Sequence, residues 1–277
     1  MKKTINIACI LTTVFLCLMV SSSGLAQETK TEQSKADKTK ADKAEEAYQE
    51  ITFASADGLE VTADLYWKHD DKSKPFIVLC HQAGWSRGEY REIAPALNEL
   101  GFNCMAIDQR SGGKVKGVDN KTLGKATAAK KSVTFVDAEQ DMVAAIEYAR
   151  ENYATGKLIL WGSSYSAALT LRIAGEHADK VDGAMAFAPG EYFQRFGKPG
   201  NWVETSAKKI KCPVFVTSAK KEKESWEKIF AAIPAKIKNG YLPKTAGNHG
   251  SRALWAQFED SKGYWEQVKV FLAHFEA

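Results

Sequence analysis

The chain has 277 residues, 44% hydrophobic and 26% charged, with a formal net charge of +4. This is globular composition, enough for a large domain, and it excludes a disordered, collagen-like or disulfide-scaffold protein. So small a charge argues against a nucleic-acid partner, which calls for a dense basic stripe, and no 20-residue apolar run after residue 26 offers a membrane span.

Residues 1–26 read as a cleavable signal peptide. Lys2 and Lys3 precede an apolar stretch from Ile5 to Val20, and Ser21-Ser22-Ser23-Gly24-Leu25-Ala26 is a small-residue exit before Gln27. The expected destination is the periplasm or the exterior. Removing Lys2 and Lys3 with that segment lowers the charge from +4 to +2. Residues 27–47 are Lys-, Glu- and Asp-rich; from Glu28 to Glu46 there is no aromatic, Leu, Ile or Val, so the stretch reads as a charged flexible linker. The folded domain is expected over 48–277.

Within it, Tyr48–Ser55 and Leu59–Trp67 alternate in polarity around Ala56-Asp57-Gly58, the pattern of an antiparallel hairpin. Pro75–Cys80 is a short apolar run, as in a strand buried on both faces. Tyr90–Leu100 has helical spacing and stops at Gly101. Asn103–Asp108 is a second buried strand. Gly112–Ser132, rich in Gly and Lys, reads as an irregular excursion. Phe135–Tyr153 is a helix, Leu158–Trp161 a strand, Ser166–Gly175 a helix. Val181–Ala186, Val214–Thr217 and Tyr241–Lys244 supply further strands, with Glu191–Ser206 a loop whose aromatics can roof a cleft. Lys262–Phe275 closes the chain as an amphipathic helix. Repeated strand–helix units after a hairpin predict a mostly parallel sheet of about eight strands with helices on both faces.

The strongest local signal is Trp161-Gly162-Ser163-Ser164-Tyr165-Ser166, where a buried strand runs straight into a helix. A nucleophile elbow demands small residues two before and two after the nucleophile. Centring on Ser164 puts Gly162 and Ser166 there; centring on Ser163 puts Trp161 and Tyr165 there. Ser164 is therefore the candidate. A serine nucleophile needs a base oriented by an acid. In the chain order Ser, acid, His, only His249 and His274 follow. His249 sits in the Gly-rich loop Thr245-Ala246-Gly247-Asn248-His249-Gly250 after the last strand, whereas His274 lies in the terminal helix. Glu222 falls in the loop after the Val214 strand, where the acid belongs, with Glu224 two residues on and Glu191 the alternative. Oxyanion donors are expected from the backbone N–H of Tyr165 and, in the loop His81-Gln82-Ala83-Gly84-Trp85, from Ala83, with Gln82 second. His81 is expected to hold that loop. Trp85, Tyr90, Tyr165, Tyr192 and Trp202 are candidates to line an acyl pocket. Cys80, Cys104 and Cys212 read as buried fillers; no metal-ligand spacing or cofactor motif is present.

The series strand–His81-Gln82-Ala83-Gly84, strand–Asp108-Gln109-Arg110, strand–Gly162-Ser163-Ser164-Tyr165-Ser166–helix, strand–Ser218-Ala219-Lys220-Lys221-Glu222, strand–Gly247-Asn248-His249-Gly250 resembles the α/β-hydrolase fold, and its dienelactone hydrolase-like branch in particular, from about Glu50 onward. The resemblance implies a serine hydrolase with Ser164 as nucleophile, His249 as base and Glu222 as acid, acting on a small-molecule ester, and a loop-fixing ion pair at Asp108 and Arg110. Two departures stand out: the branch's namesake uses Cys where this chain has Ser164, and Asp is commoner where it has Glu222. A small peptidase and a catalytically silent ligand-binding protein on the same scaffold are the competing readings.

Overall fold

The computed structural model describes residues 48–276; the expected signal peptide and linker lie outside the described residues. The first strands are β1 (Gln49–Ala54), β2 (Glu60–Tyr66), β3 (Phe76–Cys80) and β4 (Asn103–Ile107), and a small separate ribbon pairs β5 (Lys114–Val115) with β6 (Val118–Asp119). They are followed by β7 (Leu158–Ser163), β8 (Gly183–Phe187), β9 (Val214–Thr217) and β10 (Lys238–Tyr241). The helices are α1 (Ile93–Glu99), α2 (Lys121–Ala128), α3 (Ala138–Asn152), α4 (Tyr165–Glu176), α5 (Trp202–Ala207), α6 (Lys223–Ala232) and α7 (Ser261–Leu272).

The central sheet has eight strands in the order β1-β2-β4-β3-β7-β8-β9-β10. β1 and β2 are antiparallel, β2 is antiparallel to β4, and every pair from β4 to β10 is parallel. The period-2 rule divides the side chains between two apolar layers. Val78, Cys80, Leu158 and Leu160 face α3, α4, α5 and α6, whereas Ile77, Leu79, Ile159 and Trp161 face α1 and α7. From β3 the chain continues to β4 on one side and later to β7 on the other, so the strand order reverses between β3 and β7. Loops that leave the strand C-termini at such a switch point splay apart and open a crevice.

Four expectations change. The 112–132 excursion is ordered: it contains the β5–β6 ribbon and α2, whose Asn120 side chain caps the helix by accepting from Leu123 N–H at 2.7 Å. Glu191–Ser206 likewise holds a 3-10 turn, Gln194–Phe196, and α5. The last strand runs Lys238–Tyr241, earlier than 241–244, because it pairs in register with Val214–Thr217 and then meets Pro243, which has no N–H to give a ladder. Asp108 and Arg110 do not pair with each other. Asp108 accepts from Arg87, and Arg110 pairs with Asp57 at 2.8 Å and Asp141 at 2.7 Å, each buried guanidinium finding its carboxylates on other elements.

Cys80 and Cys104 lie on neighbouring strands, but Cys104 registers against Ile77, three positions from Cys80. Both are buried and unbonded, and Cys212 is partly exposed. Among the described residues no helix is long and apolar enough to cross a membrane.

Candidate active site

The His81 loop, Ser164, Glu222 and His249 all follow the C-terminal ends of parallel strands. β7 ends at Ser163, and Ser164 makes the turn into α4 at φ 59° and ψ −118°. A left-handed serine is strained, and the surrounding turn enforces it. The Ser164 N–H is held by Phe187 O at 2.7 Å, and its carbonyl already accepts from Ala168 N–H at 3.2 Å. The small-residue rule has a direct cause: a Cβ on Gly162 would stand 2.2 Å from Ser166 O. At the other flank Ser166 replaces the commoner glycine. Its buried hydroxyl accepts from Ser163 N–H at 2.9 Å and lies 2.7 Å from the Cys80 carbonyl, which ties the elbow to the end of β3.

His249 follows β10 by a loop. Its Nδ1 lies 2.6 Å from Glu222 Oε1, and both side chains are about 30% exposed. With Nδ1–H donated to a carboxylate, the lone pair resides on Nε2. Glu222 is fixed from the other side by Ala219 N–H on Oε2 at 3.1 Å. The two loops are stitched together where Lys220 N–H donates to Ala246 O at 2.9 Å. Glu191, the alternative acid, is engaged elsewhere: it accepts from Val203 and Glu204 N–H at the start of α5, at 3.0 and 2.8 Å. Glu224, the residue two on from Glu222, falls in the first turn of α6.

The histidine loop also binds the elbow directly. Ser251 N–H donates to Ser163 Oγ at 2.9 Å, and Trp161 Nε1–H donates to Ser251 Oγ at 2.9 Å. Gly250, at φ 69°, makes this approach possible, because a Cβ there would stand 2.4 Å from Ser163 Oγ. Among the described residues no hydrogen bond joins Ser164 Oγ to His249 itself. In ligand-free sites such bonds are often long and tighten on binding. The Tyr192 hydroxyl, which donates to Ala188 O at 2.8 Å, lies beside the Ser164 hydroxyl.

The Gln82 N–H is taken: it donates to Glu89 Oε2 at 2.8 Å. Among the described residues neither the next amide, Ala83, nor that of Tyr165, the first residue of α4, meets a hydrogen-bond acceptor. His81 is buried, and burial lowers its imidazole to about 4. Nδ1 lies 2.8 Å from Gln82 O, and Nε2 accepts from Gln109 N–H at 3.0 Å. It holds the loop, as expected.

Of the five aromatic candidates, Tyr90 and Tyr165 belong to the core. Their hydroxyls meet Cys80 O at 2.7 Å and Ser111 Oγ at 2.6 Å. Trp202 lies under the Arg172 guanidinium. Trp85 stacks on Trp255, and Tyr192 stands at the serine. Sequence reasoning missed Glu89, a fully buried carboxyl beneath the elbow. A lone Glu in Trp85-Ser86-Arg87-Gly88-Glu89 carries no local mark of burial.

A family model described as serine aminopeptidase, S33, matches residues 71–194. No curated protein sequence matches. Among solved structures, an esterase of Pyrococcus furiosus superposes with a TM-score of 0.63 at 17% identity, covering 82% of this chain and 92% of its own. A dienelactone hydrolase from Anabaena variabilis gives 0.62 at 13% identity, covering 83% and 100%. A Butyrivibrio proteoclasticus protein solved with ferulic acid bound gives 0.61 at 16%, covering 81% and 98%.

Proposed function

The chain has the α/β-hydrolase fold, and on that scaffold we propose an exported serine hydrolase of small carboxylic esters. One observation carries the proposal: His249 gives Nδ1 to Glu222 on a loop bonded to Ser163, one residue from the strained Ser164. His249 Nε2 takes the Ser164 proton as Oγ attacks the ester carbonyl. The amides of Tyr165 and Ala83 stabilise the oxyanion, and loss of one such donor typically costs about 100- to 1000-fold. The imidazolium then protonates the leaving alcohol, and water reverses the steps to release the acid. Glu222 holds the tautomer and stabilises the charged ring. No cofactor enters these steps. Export rests on the pattern in residues 1–26; amino-terminal sequencing of the secreted protein should begin at Gln27.

The name of the family model favours a second reading, an aminopeptidase. Short-chain p-nitrophenyl esters and amino-acid p-nitroanilides separate the two. Ester turnover that Ser164→Ala abolishes supports the first reading, and efficient anilide turnover with weak ester turnover would replace it.

A further inference from the structure

Glu89 lies in the 3-10 turn Arg87–Tyr90 after β3 and is sealed from solvent. A buried carboxyl is normally paired with a cation or buried neutral. Here both oxygens are met by neutral donors. Oε2 accepts Gln82 N–H at 2.8 Å, and Oε1 accepts the Ser163 hydroxyl at 2.7 Å. Ser163 Oγ, its proton given away, accepts Ser251 N–H at 2.9 Å. Each of these donors is a near neighbour of a site group: Gln82 precedes Ala83, Ser163 precedes Ser164, and Ser251 lies two residues after His249.

We propose that Glu89 is a positioning residue: as a carboxylate it holds the oxyanion loop, the nucleophile elbow and the histidine loop in one register. The inference rests on the hydrolase reading above. The hydrogen-bond pattern favours the ionised form: both oxygens accept, and among the described residues no acceptor stands at either of them to take a carboxyl proton. Burial pushes the Glu89 carboxyl up to about 7, against the lowering by Ser163 and Gln82. Arg252 of the histidine loop faces it and favours the carboxylate, as does the His249 ring whenever it carries a proton. Tyr90 and Tyr165 also face it, and burial holds their phenols neutral, well above the ordinary value. Proton uptake near neutrality therefore loosens three loops at once.

The test is the rate of Ser164 labelling by a fluorophosphonate across pH, for the parent, Glu89→Gln and Ser163→Ala. Labelling needs an unprotonated base, and proton uptake by Glu89 slows it further, so near neutrality the parent's acid limb is steeper than a slope of one. Glu89→Gln falls with a slope of one and labels more slowly, on the order of 10- to 100-fold. Ser163→Ala keeps the steep limb but breaks at higher pH, because Glu89 has lost its hydroxyl donor; this variant carries the test if Glu89→Gln folds poorly. A second readout needs no catalysis. In a Ser164→Ala background, the thermal midpoint of Glu89→Gln relative to its parent rises between about pH 4.5 and about pH 7, where the parent alone must ionise a buried acid. A parent slope of one with an unchanged rate in Glu89→Gln, or a thermal difference that ignores pH, overturns the inference and leaves the hydrolase reading intact. A parent that takes no adduct at Ser164 sinks both.

Discussion

His81 and His249 both follow the C-terminal ends of parallel strands, β3 and β10, and their surroundings differ in the way that separates a loop anchor from a base. His81 has both ring nitrogens committed to backbone groups and is fully buried, so it cannot take a proton without breaking its loop. His249 commits one nitrogen to a carboxylate, keeps the other free and remains partly exposed. A histidine becomes a base through an unspent lone pair that a substrate can reach, and a place after a strand's C-terminus is not enough.

The contrast breaks most sharply by substitution at the reacting groups. Ser164→Ala and His249→Ala should each lower ester turnover by about 10⁴-fold or more with the thermal midpoint nearly unchanged. His81→Ala should do the reverse, losing midpoint while turnover per folded molecule falls far less than in His249→Ala. Glu222→Gln should cost about 10³- to 10⁴-fold in kcat, since the ring loses both its tautomer control and its counter-charge. Glu191→Gln should leave kcat close to the parent value, because that carboxylate caps α5. Gly250→Ala drives a Cβ toward Ser163 Oγ and should cost about tenfold to a hundredfold in activity by displacing the histidine loop.

The smallest effect is a pH dependence. His81 binds a proton less readily folded, at about 4, than unfolded, near 6.5. Between those values the unfolded chain holds more protons, so the His81 contribution to stability is present above pH 6.5 and is lost as pH falls toward 4. The loss is on the order of 3 kcal/mol. In urea titrations the stability gap between the parent and His81→Gln should narrow over that range. Glu89 acts with the opposite sign, since burial raises its folded value, and its contribution falls as pH rises from about 4.5 to about 7.

The candidate residues that sequence reasoning named share a local mark. Ser164 has small flanks at a strand–helix junction, His249 sits among glycines after the last strand, and Glu222 follows the strand before it. Each can be read from its own ten residues, because the tight turn and the strand-end loop impose composition locally. Glu89 has no such mark; its role arises from Gln82, Ser163 and Ser251, brought together only by the β3–β7 pairing and the histidine loop. The same holds for the buried arginines. Arg87 gathers Glu50, Asp64 and Asp108, and Arg110 gathers Asp57 and Asp141, none a sequence neighbour of the arginine it meets; Asp108, which had seemed Arg110's natural mate, goes to Arg87. The Gly- and Lys-rich 112–132 stretch misled for a related reason. Its short ribbon and α2 owe their order to long-range anchors, such as Thr122 Oγ1 accepting from Thr62 N–H at 2.9 Å.

The central claim is an activated Ser164 served by His249. The direct measurement is fluorophosphonate treatment of the purified protein, with the adduct located by peptide mass spectrometry, beside Ser164→Ala and His249→Ala. The account predicts a single adduct on Ser164 that is absent from Ser164→Ala and all but lost from His249→Ala. A folded parent that takes no adduct, or labelling that His249→Ala leaves intact, would contradict it.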